Sequence, residues 1–181
     1  LGKAITEVKE VYEAPTHTAL LREAYGLEYY WENRNSPPGL EAVNVDEVAR
    51  SALQEAWRKA EATYEIGYSM GQTIGPSLGE NPRVEEFQAA LRQTPVSHSG
   101  LVGYIAGVAE SNPEAAQALA QAVPQEALAR RETLEAWALG EVLERRMPEM
   151  SLGQREALAA LSERLPDLYA GEVQRAISAH Q

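Results

Sequence analysis

Between Tyr64 and Gly79 this chain places a glycine at every fourth position: Gly67, Gly71, Gly75 and Gly79. Among them stand Tyr64, Tyr68, Ser69 and Gln72. Glycine removes the side chain where backbone or ligand must come close, and it tolerates positive φ. Helical patterns lie on both sides, so the segment is expected to line a cleft between helices. No other stretch departs so far from ordinary helix or turn sequence.

The surrounding sequence favours helix throughout. Ala, Leu, Glu, Gln and Arg are abundant, there is one Phe, and no long alternating β-branched run occurs. With 44% hydrophobic residues in 181, the chain can bury a real core. An all-α fold follows as the expectation. The net charge is −11, from 27 acidic and 16 basic residues. A duplex-binding surface needs a basic stripe to displace counterions, and none is visible, so general nucleic-acid binding is disfavoured. No apolar run approaches the roughly 20 residues needed to span a bilayer. Cysteine is absent, which removes thiol catalysis and cysteine-ligated metals. His17, His98 and His180 stand apart without metal-ligand spacing, so neither metal nor organic cofactor is expected. His17 and His98 read most simply as surface or hydrogen-bonded residues.

Taken in order, Ala4, Ile5, Val8 and Val11 share a helical face, and a second helix is expected from about Thr16 to Trp31. Residues 33–39 read as a loop. The next helix, capped by Asn44 or Asp46, is expected to run to about Thr63 and to bury Val45, Val48, Ala49, Ala52, Leu53, Ala56 and Trp57. Beyond the glycine segment, helices are expected over 83–93 and from Ser97 to Glu110. From Pro113 the chain becomes Ala/Glu/Leu/Arg helices at 114–123, 125–146, 151–164 and 167–179, punctuated by Pro124, Pro148 and Pro166. Ser151 is a plausible cap. The division expected is a helical domain over 1–112 with a C-terminal helical subdomain, 113–181, packed on it.

The segment Gly67-Tyr68-Ser69-Met70-Gly71-Gln72-Thr73-Ile74-Gly75 resembles the small/Gly, aromatic, Gly, two residues, Gln pattern of goose-type lysozymes, lytic transglycosylases and phage muramidases. Val11 to His17 is similar to an aromatic-Glu-Pro-His phrase of phage-type members, with Ala14 inserted; Val84 to Arg92 and Leu101 to Asn112 resemble the helices that follow. The likeness covers roughly residues 4–120. It implies a lysozyme-like helical domain with a glycine-rich cleft segment, cleaving peptidoglycan or another glycan through a glutamate general acid. Such an acid needs a raised pKa, which partial burial supplies. Laid on Ala4-Ile5-Thr6-Glu7-Val8-Lys9-Glu10, the family's catalytic slot falls on Lys9, and an ammonium cannot do this work. Glu10, one residue on, and Glu7 are the candidates. The glycine loop that follows the acid in the family is absent, and Ser69 stands where a family glycine would be. Gln72 would bond sugar or acid, Tyr68 and Tyr104 would stack on sugar rings, and the backbone at Ser69 would approach the N-acetyl group.

Two further readings stay open. The chain is equally read as a non-catalytic helical structural, scaffold or adaptor protein, viral or otherwise, whose partner is a protein. A sugar-binding remnant would keep the tyrosines without the acid. A virion or cell-envelope-facing location follows from the resemblance, and a cytoplasmic one without it. Tyr25, Tyr29, Tyr30 and Trp31 form a second aromatic cluster, suited to a groove edge or to packing a loop on the core.

Overall fold

The structure is a computed structural model that describes residues 15–34, 45–125 and 132–180. The chain is all-α. Its described elements are α1 (His17–Arg34), α2 (Val45–Leu78), α3 (Val84–Gln93), α4 (His98–Ser111), α5 (Pro113–Gln121), α6 (Thr133–Arg146), α7 (Leu152–Ser162) and α8 (Asp167–Ser178). A 3-10 turn, Met147–Glu149, joins α6 to α7.

The organising element is α4. Every residue from His98 to Ala109 is buried, so this helix is apolar on all sides and must be surrounded. Helices α2, α5 and α7 pack directly around it, while α6 and α8 pair with each other, α6 also lying against α2 and α8 against α7. Buried side chains from Leu20 to Ile177 form one continuous cluster.

The most extensive helix contact, α2 on α4, explains the glycines. The expected cleft segment is instead the C-terminal half of one unbroken 34-residue helix. A methyl group at Gly71 would run into the Tyr104 carbonyl oxygen, and one at Gly67 into that of Gly100. From the other side, methyls at Gly103 and Gly107 would meet the carbonyls of Tyr64 and Tyr68. Two glycine rows therefore face each other, and the helices touch backbone to backbone. Glycine in a helix interior costs about 1 kcal/mol relative to alanine. That cost is offset here by the burial and close contact the missing side chains allow. The glycines of the second row, Gly103 and Gly107, lie in a different helix from the first.

Local signals set the helix ends. Gly79, at φ +53°, follows the last residue of α2 in the left-handed conformation that glycine adopts without strain. Asn112 closes α4 and opens α5, its side chain accepting from the Ala115 amide at 3.2 Å. Ser151 and Gln154 form a reciprocal capping box at α7.

The expected buried face of the first half of α2 is not buried. Ala49, Ala52 and Leu53 are exposed, while Val48, Ala56 and Trp57 are partly covered. The reason is length: α2 runs 34 residues, roughly 50 Å at 1.5 Å per residue, against 14 for α4 and 14 for α6. Its first turns outrun the described helices that could cover them.

Substituting Gly103 with alanine is expected to destabilise the fold by about 1–3 kcal/mol, because neither backbone can yield without separating the helices. Gly26→Ala and Gly171→Ala, in α1 and α8 with open space around them, are expected to gain about 0.5–1 kcal/mol. Urea unfolding of the three variants checks both signs.

Candidate functional site

The glycine seam decides which side chains of α2 remain on the surface. Tyr68 and Gln72, one turn apart, flank it and reach across to the last turn of α4. There the Tyr68 hydroxyl donates to Glu110 Oε2 at 2.8 Å, and Gln72 Nε2 donates to the same oxygen at 2.6 Å. From α7, Gln154 Nε2 donates to the Tyr68 hydroxyl and to the Ala106 carbonyl, both at 3.0 Å. Its Oε1 accepts from the Ser151 amide at 2.9 Å. Burial, then the hydrogen bond to Glu110, pushes the Tyr68 phenol up, so it stays a donor. Glu110 itself is exposed. A carboxylate in the last turn of a helix opposes the macrodipole at a cost of about 0.3–1 kcal/mol. Two charge-assisted bonds on one oxygen answer that cost. Sequence reading placed Glu110 at the end of its helix but gave it no role; nothing local to that helix points to Tyr68.

The sequence-predicted residues thus part company. Tyr68 and Gln72 come together beside a carboxylate that was not among the candidates. Ser69 is exposed, and its carbonyl accepts from Thr73 Oγ1 at 2.9 Å. Tyr104 is fully buried, stacked on Phe87 with ring centroids 6.0 Å apart. Its hydroxyl lies 2.6 Å from His17 Nδ1, within the core rather than on the face of Gln72. Glu7 and Glu10 lie outside the described residues.

His17 has a defined tautomer. Its Nε2 lies 2.9 Å from the Pro82 carbonyl, which can only accept, so Nε2 carries the proton and Nδ1 accepts from Tyr104. Burial pushes the imidazole below its usual range and keeps it neutral.

A second polar cluster surrounds the N-terminus of α4. Glu28 of α1 accepts from the Ser97 amide at 3.2 Å and the Ser97 hydroxyl at 2.9 Å. Glu135 of α6 accepts from the Ser99 amide at 3.3 Å and the Tyr169 hydroxyl at 2.8 Å. His98 stacks on Tyr169, centroids 3.8 Å apart, with Nδ1 3.8 Å from Glu135. Burial alone would raise the Glu135 carboxyl; His98, Tyr169 and the Ser99 amide together outweigh it and hold it below its ordinary range. Two carboxylates at a helix N-terminus complement its partial positive charge. The Ser97-His98-Ser99 run is therefore a cap buried under α1 and α6, with its hydroxyls committed to carboxylates. Among the described residues, no three His, Asp or Glu side chains are placed to hold a metal ion. None of the described helices is long and apolar enough to cross a membrane.

A third feature is a groove of about 240 Å³ between α2 and α6, lined by Arg50, Leu53, Gln54, Trp57, Trp137 and Arg145. The Arg145 guanidinium lies 4.7 Å from the centroid of the Trp57 ring.

A scan against protein-family models, a search of curated proteins and a search of solved structures each return no match to this chain.

The two buried groups give acid sensitivity of one sign. His17 is lowered from 6.5, so the unfolded chain takes up that proton first, and stability begins to fall as pH drops below 6.5. Glu135 is lowered from 4.5, so its contribution is full above that value and is lost as pH falls through the folded one. Urea unfolding between pH 7.5 and 5.5 is expected to show wild type losing more stability than His17→Gln. The difference in slope cannot exceed about 1.4 kcal/mol per pH unit, the limit for one proton.

Proposed function

We propose that this chain is a non-catalytic helical module, structural, scaffold or adaptor in kind, whose working surface is the first half of α2 together with α6. One observation carries this reading. Over residues 47–54 only Val48 is even partly covered, yet the stretch is patterned as a core helix, with Ala49, Ala52 and Leu53 facing outward. A contiguous apolar surface rimmed by polar residues marks an interaction site. The motif that favoured an enzyme has a sufficient structural role, since its glycines serve the α2–α4 seam and its Tyr68 and Gln72 hold Glu110.

A second reading keeps the lysozyme-like muramidase or lytic transglycosylase. It is favoured by Tyr68 and Gln72 sharing a face with a carboxylate. Glu110 suits the role of acceptor: it is exposed and takes two donated hydrogen bonds, whereas a glycosidic general acid must hold a proton to give. The proton donor of that mechanism would be Glu10 or Glu7.

A photo-crosslinking residue at position 53, compared with one at position 168, tests the first reading; Leu53 and Leu168 are both 40% exposed. Expression in the source cells should give discrete adducts from position 53 and not from 168, and the purified protein should leave peptidoglycan turbidity unchanged. Equal adducts from both positions would remove the docking surface. Clearing of peptidoglycan that Glu10→Gln or Glu7→Gln abolishes without unfolding would establish the muramidase instead.

A further inference from the structure

The groove between α2 and α6 differs from the rest of the surface in charge. The chain carries an excess of eleven negative charges, yet the six groove-lining residues include two arginines and no acid. Five arginines elsewhere are spent internally. Arg83 pairs with Glu86, Arg146 with Glu61 and Glu65, and Arg175 with Glu141, Glu144 and Glu172. Arg155 and Arg164 donate to backbone carbonyls. Among the described residues, Arg50 and Arg145, like Arg22 and Arg58, have no carboxylate partner; what sets the first two apart is that they line one groove together with two tryptophans.

Arg145 is also pre-positioned. Its guanidinium is held over the face of Trp57, where the ring quadrupole attracts it. Stacking of this kind engages the face of the group and leaves its in-plane N–H donors free for a carboxylate. Trp57 and Trp137 supply the large, rigid apolar area that interface anchors are made of, and Leu53 extends it along α2.

Resting on the reading of α2 and α6 as a docking surface, we infer that this groove takes an acidic amphipathic helix of a partner protein. The partner's apolar residue fills the space over Trp57 and Trp137, and its flanking Asp or Glu side chains meet Arg50 and Arg145. The mode is a helix laid in a groove, with apolar anchors one turn apart and charge setting orientation and specificity. The net negative charge of the chain disfavours an acidic partner in general, so the two arginines help select where it lands as well as holding it.

The test uses two synthetic helix-forming peptides with the same leucine face, one flanked by glutamates and one by lysines, and reads fluorescence anisotropy at low and physiological salt. The glutamate peptide should bind at least about tenfold tighter than the lysine peptide, a difference of about 1.4 kcal/mol, and should weaken as salt rises. Exposed positions 50 and 145 tolerate charge reversal, so Arg50→Glu with Arg145→Glu should fold normally and invert the preference. Equal binding of both peptides, or of neither, would overturn the acidic-helix assignment. If discrete adducts still form from position 53, the docking surface stands and only its partner chemistry falls; if they too are absent, the functional reading falls with it. A dimer seen by sedimentation and abolished by Leu53→Glu would overturn it differently, by making a second copy the occupant.

Discussion

Everything else in this molecule is arranged around the contact of two glycine rows. Gly67 and Gly71 on α2, against Gly103 and Gly107 on α4, let carbonyl oxygens and Cα atoms of the two helices meet without intervening side chains. Helices normally pack at 8–10 Å through interlocking side chains; here the seam takes the closest approach available, and weak Cα–H···O contacts fit that geometry. Placing α2 so close leaves the other sides of α4 for larger residues. Leu101, Ile105 and Val108 are all fully buried, and α5 and α7 complete the enclosure.

A helix buried on every side raises a problem at its ends, where backbone donors lack partners inside the helix. The solution at the α4 N-terminus uses charge. Ser97 caps the Gly100 amide at 2.9 Å, while Glu28 and Glu135 arrive from α1 and α6 to take the Ser97 and Ser99 amides. The same two bonds attach α1 and α6 to the central helix, so satisfying the backbone and joining the layers are one act. His17 does similar work between α1 and the turn before α3, bridging the Tyr104 hydroxyl to the Pro82 carbonyl.

Much of the fold was legible because its helix boundaries are written in local chemistry. Asn112-Pro113, Ser151 with Gln154, and Pro166 each act within a few residues, and the helices at Pro113, Leu152 and Asp167 begin beside them. What failed was long-range. The glycines of 67–75 looked like a cleft lining because their partners, Gly103 and Gly107, sit in another helix. Tyr104 looked like a cleft aromatic because nothing nearby announces that His17, 87 residues away, takes its hydroxyl into the core. The Ala49, Ala52, Leu53 face looked buried because amphipathic pattern marks a surface that wants a partner, not one that has found it within the same chain. As for the candidate site, Tyr68 and Gln72 came forward through the resemblance of their motif; Glu110 did not, since only the packing of α2 on α4 brings it to them.

The seam has a mechanical side. Interlocking side chains fix two helices against axial sliding, whereas glycine-lined surfaces have shallow ridges and resist it less. Along this boundary, register falls to bonds at its rim: Tyr68 and Gln72 to Glu110, and Asn112 Nδ2 to the Gly79 carbonyl at 2.9 Å. Helix α2 is then a rod clamped over its C-terminal half. A pull along its N-terminal half is carried as shear into those few polar bonds, which act as the pins of the joint.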